Sequence, residues 1–143
     1  MLKTKKGFTL VELLAVIVIL AVILAIAIPG ISNMTKNAKK SSFEDNVKLI
    51  IKGIDYAILN ADLAGTARPA VSASNNIKDS LGDYGANPND YASFYITSLN
   101  PITISITGSG SNSKFGSCTV TGATMSNIKH TGPADQPGVI SGC

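Results

Sequence analysis

Glu12 is the side chain most in need of a chemical explanation. It stands in an apolar run from Phe8 to Ile28 that is interrupted only by Thr9 and by Glu12 itself. A carboxylate deep in lipid costs about 2–3 kcal/mol, less near an interface, and an acid in such a place usually has a partner or a task. Cys118 and Cys143 are the other reactive pair. Outside the cytoplasm two such thiols are normally joined, and closing a loop of about 25 residues stabilises a small domain by roughly 3–4 kcal/mol in the chain-entropy view. His130 is the single histidine. It has no second metal ligand at a workable spacing and is expected on the surface. Neither a glycine-rich phosphate loop nor a nucleophile elbow is present. We therefore expect no catalytic residue, no metal, no cofactor and no enzymatic activity.

The element that carries Glu12 is an apolar helix. Leu13 to Ile28 is an unbroken series of 16 apolar residues. Counted from Phe8, the stretch is long enough at about 1.5 Å per residue to cross a hydrocarbon layer of roughly 30 Å. Three readings fit its bulk properties. A secretory signal would use Lys3, Lys5 and Lys6 as its basic region and Ala25-Ile26-Ala27 as its cleavage site. The apolar stretch is too long for that, and Pro29 would lie just past the cut. A plain membrane anchor explains the length and leaves Glu12 without a role. The third reading uses every unusual residue.

The run Lys5-Lys6-Gly7-Phe8-Thr9-Leu10-Val11-Glu12-Leu13-Leu14 resembles the processing motif of type IV prepilins. That resemblance implies cleavage between Gly7 and Phe8 by a prepilin peptidase, followed by N-methylation of Phe8. It places Glu12 at the fifth mature position, where the family keeps a glutamate, and Pro29 where many members have a proline. Phe8, Glu12 and Pro29 are then the assembly residues. In a bundle of such helices, Glu12 of one copy meets the Phe8 amine of another, and an unpaired Glu12 penalises misaligned packing. The implied partners are a homo-oligomeric filament, the peptidase, a membrane assembly platform with its ATPase, and membrane lipid before assembly. The implied location is the cell membrane, single-pass with the N-terminus inside and the head outside, and then a cell-surface filament. Counting positive charges does not decide the orientation, because Lys36, Lys39 and Lys40 balance the leader lysines. A pilus subunit is favoured, with a minor pilin or a pseudopilin of secretion or DNA uptake as the alternative. Adhesion and motility stay open.

Three segments follow from this reading: a leader over residues 1–7, a membrane or filament-core helix over 8–30, and a head over 31–143. The helical period resumes after Pro29 and Gly30, where a kink or loosening is expected. Phe43, Val47, Ile50, Ile51, Ile54 and Ile58 form one apolar stripe. Residues 64–90 read as a connecting loop, with a short helix over Asn75–Leu81 stopped at Gly82. Alternation then predicts strands. Ala92, Phe94 and Ile96 face inward on the first, Ile102, Ile104 and Ile106 on the second, and Ser117–Thr121 makes a third. The tyrosines and phenylalanines of the head read as packing. The predicted fold is α+β and pilin-like: a long N-terminal helix, half transmembrane and half amphipathic, on a small antiparallel sheet. The Gly/Pro-rich tail from Thr131 is tied back by Cys118–Cys143, and it resembles the disulfide-bounded loop of pilins.

Charge sets a further limit. Of the 12 Lys and Arg residues, Lys3, Lys5 and Lys6 belong to the leader, and the remaining nine balance the 9 Asp and Glu residues. A formally neutral mature chain lacks the clustered basic face that nucleic-acid binding needs, so nucleic acid is not an expected partner. Asn33-Met34-Thr35 fits a glycosylation sequon, but its place on a helix beside the membrane argues against use.

Overall fold

The computed structural model describes residues 7–110 and 113–143, so Lys3, Lys5 and Lys6 of the leader lie outside the described residues. The chain divides into two units, residues 1–35 and 36–143. One α-helix, α1 (Leu10–Ala64), contributes to both. By length and composition it is the one described helix able to cross a membrane.

In the first unit, every large apolar side chain from Phe8 to Ile31 is more than half exposed. The helix is assigned without a break through Pro29. Pro29 has no N–H to give the Ala25 carbonyl, yet the flanking turns keep their form. Just beyond it, hydroxyls are satisfied within the helix. Ser32 Oγ donates to the Ile28 carbonyl at 3.2 Å and Thr35 Oγ1 to the Ile31 carbonyl at 3.0 Å. Such back-bonding hides polar groups next to an apolar segment.

In the second unit, the amphipathic part of α1 covers a three-stranded antiparallel sheet of order β1 (Tyr91–Leu99), β2 (Ile102–Gly108) and β3 (Thr119–Ala123). The predicted stripe is the buried face. Phe43, Val47, Ile50, Ile51 and Ile54 are buried, and Ile58 packs at the margin. They meet Phe94, Ile96, Ile104, Ile106 and Val120 from the sheet. Phe43, Tyr91 and Phe115 form an aromatic cluster, with ring centres 5.5 Å apart for Phe43–Phe115 and 5.4 Å for Tyr91–Phe115. Gly53 lets α1 approach the 3-10 segment, since a Cβ there would sit 2.5 Å from the Tyr84 carbonyl oxygen. Cys118 and Cys143 are joined, closing the tail onto the start of β3.

Several local expectations need correction. Ala92 was placed inward, but it is exposed and Tyr91 is buried instead. A register irregularity between Tyr91 and Ser93 inserts a residue and reverses the alternation at that point. The expected helix over Asn75–Leu81 is a 3-10 helix over Lys78–Tyr84. It runs through Gly82 and stops at Gly85, which adopts φ 82° in the left-handed region. The third strand starts at Thr119 rather than Ser117, because Cys118 closes a turn to Phe115 before pairing begins.

Both sheet edges are occupied. Along β1, Ser72 N–H donates to the Ile96 carbonyl at 2.8 Å and Ile77 N–H to the Phe94 carbonyl at 2.9 Å. The Asn76 side chain bonds the Ala92 carbonyl and the Phe94 amide at 2.9 and 3.0 Å. Along β3, Thr119 and Ser141 exchange two bonds of 2.9 Å, and Gly138 N–H reaches the Thr121 carbonyl at 2.8 Å. The tail is thus a short extra rung, fixed beside the disulfide.

His130 is exposed, as expected, but it is not idle. Its Nδ1 lies 2.7 Å from Glu44 Oε2, while Lys48 Nζ lies 2.6 Å from Glu44 Oε1. The disulfide-closed tail is thereby tied to α1. Burial alone would raise the Glu44 carboxyl, but hydrogen bonds from Lys48 and His130, with their charges, hold it below its ordinary value.

Two outcomes follow from this core. The Tyr91 hydroxyl is buried and has no hydrogen-bond partner among the described residues, and burial followed by nearby Asp90 pushes its pKa up. Removing an unsatisfied buried hydroxyl relieves its desolvation cost, so Tyr91→Phe should raise stability by about 1 kcal/mol in thermal melts of the detergent-solubilised chain. The Glu44 shift has a definite sign. Its folded pKa is depressed, so its contribution is present above about 4.5 and lost as pH falls through the folded value. Acid titration of stability should show that loss in the wild type and a smaller loss in Glu44→Gln.

Candidate functional site

The described site begins at Gly7 and Phe8. Gly7 has open space where a side chain would stand, and Phe8 is 92% exposed. Among the described residues, nothing shields the bond between them. Helix α1 then opens at Leu10, with Thr9 just before it as its N-cap residue.

Thr9 and Glu12 are locked together. The Thr9 N–H donates to Glu12 Oε2 at 2.8 Å, and the Thr9 hydroxyl donates to the same oxygen at 2.9 Å. The Glu12 N–H returns a bond to Thr9 Oγ1 at 3.3 Å. This reciprocal pattern is a capping box, which satisfies backbone donors that the first helical turn leaves without partners. It matters most in an apolar medium, where water cannot replace the missing acceptors. Glu12 Oε1 makes no hydrogen bond among the described residues. One carboxylate oxygen closes the helix, and the other remains open.

Of the expected site residues, Gly7, Phe8 and Glu12 are brought together at one helix end, with Thr9 between them. Pro29 lies further along the same helix, and Cys118 and Cys143 belong to the head, so neither joins that site. Thr9 was the residue missed. Its signal was present in the spacing Thr-x-x-Glu before an apolar run, which marks a capped helix start. Among the described residues, no group of His, Cys, Asp or Glu is gathered for a metal.

Residues 2–28 match the family model described as the prokaryotic N-terminal methylation motif. No curated protein and no solved structure matches the chain. The N-terminus carries the type IV prepilin leader signature, which supports a pilin-like or pseudopilin protein. That motif implies processing by a prepilin peptidase and assembly into a pilus-type system. The α+β layout, with the long helix on a three-stranded antiparallel sheet, is pilin-like as well.

The capping box makes its own prediction. Thr9→Val removes the hydroxyl bonds and should fray the first turn by about 1 kcal/mol, whereas Thr9→Ser retains them. Amide exchange in detergent micelles should then speed up at Leu10–Leu13 in the valine variant only.

Proposed function

We propose that this protein is a non-enzymatic structural subunit of a type IV pilus. It is cut between Gly7 and Phe8, N-methylated on Phe8, and held in the membrane with its head outside until a platform and ATPase extract it. The observation that carries this reading is the open Glu12 Oε1 beside an exposed Phe8, at the head of an apolar helix that no described residue covers.

Cleavage creates a positive α-amine on Phe8. In a bundle of copies, that amine meets Glu12 Oε1 of a neighbour while Oε2 continues to cap its own helix. Two charges 4 Å apart at an effective dielectric near 20 attract by about 4 kcal/mol before desolvation is subtracted. The pair therefore sets the register more than it supplies cohesion. Cohesion comes from burying the segment from Phe8 to Ile28, at about 25 cal/mol per Å² of apolar surface. The tail joined by Cys118–Cys143 favours a pilus subunit over a pseudopilin, since a covalently closed, edge-sealed tail suits a surface exposed outside the cell.

Intact-mass and N-terminal sequencing of cell-surface material should give a chain that begins at N-methylated Phe8. Glu12→Ala should insert and be processed but lose most assembled filament in sheared fractions. An intact Met1, or normal filaments from the alanine variant, would remove this reading in favour of a membrane-anchored domain that does not polymerise.

A further inference from the structure

The side of α1 that buries Phe43 bears a row of lysines in the two turns before it. Lys36, Lys39 and Lys40 precede Phe43 by seven, four and three residues, so at about 100° per residue they share its side of the helix. A fourth lysine joins them from the sheet. A Cβ on Gly116 would stand 3.9 Å from Lys39 Nζ, so that ammonium lies against the connection between β2 and β3. In the same connection, Lys114 Nζ stands 4.9 Å from the centre of the Phe115 ring, which packs on Phe43. None of the four is ion-paired among the described residues. Glu44 is taken up by Lys48 and His130, and Asp45 lies about 180° around the helix from Lys36. Four of the nine basic residues beyond the leader are therefore gathered at one end of a formally neutral chain.

We infer that this patch binds the phosphate headgroups of an anionic phospholipid surface and so retains the subunit at the membrane. The inference rests on the membrane-held stage of the reading above and needs no filament. Three features select lipid. Lys36 follows Ile31 by five residues, about 7–8 Å of helix, and the headgroup layer outside a hydrocarbon core is about 5–8 Å thick on each side. Lys39 and Lys40 come one turn later, with apolar stems long enough to carry their ammoniums back towards the phosphates. From Leu13 to Phe43 the chain has no acid, so no carboxylate repels the same surface. A nucleic-acid duplex would need the basic face to continue along the head, whereas Glu44, Asp45 and Asp55 interrupt the lysines that follow. Each lysine beside an anionic leaflet shifts partition towards it by about fivefold, so four of them make extraction of the subunit dependent on lipid charge and on salt.

The test reads lysine reactivity in the full chain, reconstituted in nanodiscs of phosphatidylcholine alone or mixed with phosphatidylglycerol, by brief acetylation and peptide mass spectrometry. Lys36, Lys39, Lys40 and Lys114 should label about fivefold more slowly with phosphatidylglycerol present, while Lys52 and Lys78 label equally in both. Salt at about 1 M, which cuts the Debye length to about 3 Å, should abolish the difference. In native mass spectra the wild type should retain phosphatidylglycerol in excess over phosphatidylcholine. Combining Lys36→Gln, Lys39→Gln, Lys40→Gln and Lys114→Gln should remove that excess and leave the melting temperature of the head unchanged. Equal labelling in the two lipids, with the amides of Leu13–Ile28 protected from exchange, overturns the inference and leaves membrane insertion standing. Protection of the four lysines by a DNA duplex and not by phosphatidylglycerol overturns it in favour of nucleic acid. Fast exchange over Leu13–Ile28 in the nanodiscs removes the membrane-held stage, and this inference with it.

Discussion

An apolar helical segment of 16 residues cannot stay in water, and this constraint governs the rest of the molecule. Its large side chains are all more than half exposed in the single chain, so lipid or other protein must cover them. Half-burying one leucine-sized side chain contributes on the order of 1 kcal/mol, and exposed ion pairs contribute no more than that each. The length of the segment therefore dominates the energy of any assembly. Charged groups decide which arrangement is reached. The head is built to tolerate the change of medium. Its core is drawn from Phe43 onward, with Ile50, Ile54, Phe94 and Ile106 at the centre. That core draws on no side chain of the apolar segment Leu13–Ile28.

A small sheet faces a different hazard, because open strand edges invite pairing with any other chain. Here both edges are closed by local means. The Asn76 side chain stands in for a strand along β1, and the tail does so along β3. The disulfide holds the second cover in place, and Glu44 with His130 ties it to the helix. Closing the edges confines association to helix faces. In the proposed filament, copies would then meet through side-chain packing, which can be repeated along an axis, rather than through backbone ladders that would compete with the head's own fold.

What could be read from the sequence follows from how local each signal was. The buried stripe from Phe43 to Ile58 and the Ile104/Ile106 alternation depend on simple periods, and the structure keeps them. The Cys118–Cys143 pair depended on there being one partner for each thiol. Ala92 failed because an inserted residue between Tyr91 and Ser93 reverses a period of two, and nothing in the local composition announces such an insertion. Gly82 was an obvious stop but not the one used. Gly85 supplies the left-handed turn, and Gly82 is accommodated in a 3-10 helix. The His130–Glu44 contact joins residues 86 apart in sequence, a distance at which pattern offers no guide. At the functional end the leader motif was plain. Thr9 was missed because a residue that acts through its neighbour's carboxylate is easily taken for filler.

In the proposed filament, a division of labour on Glu12 accounts for an acid held by a threonine. A free glutamate side chain loses up to about 1.5–2 kcal/mol of rotamer freedom when it is fixed. If that loss fell at the moment two copies met, it would offset much of what a partly screened ion pair returns. In the capping box the side chain is already fixed through Oε2, by bonds that the helix end needs in any case. The ordering cost is met within one chain, and Oε1 is presented in a set direction before a partner arrives. An amide in place of the acid would still accept the Thr9 bonds, but it would offer a neighbour no charge. An acid without Thr9 would keep the charge and lose the direction. The pairing of helix cap and open oxygen meets both needs with two residues three positions apart.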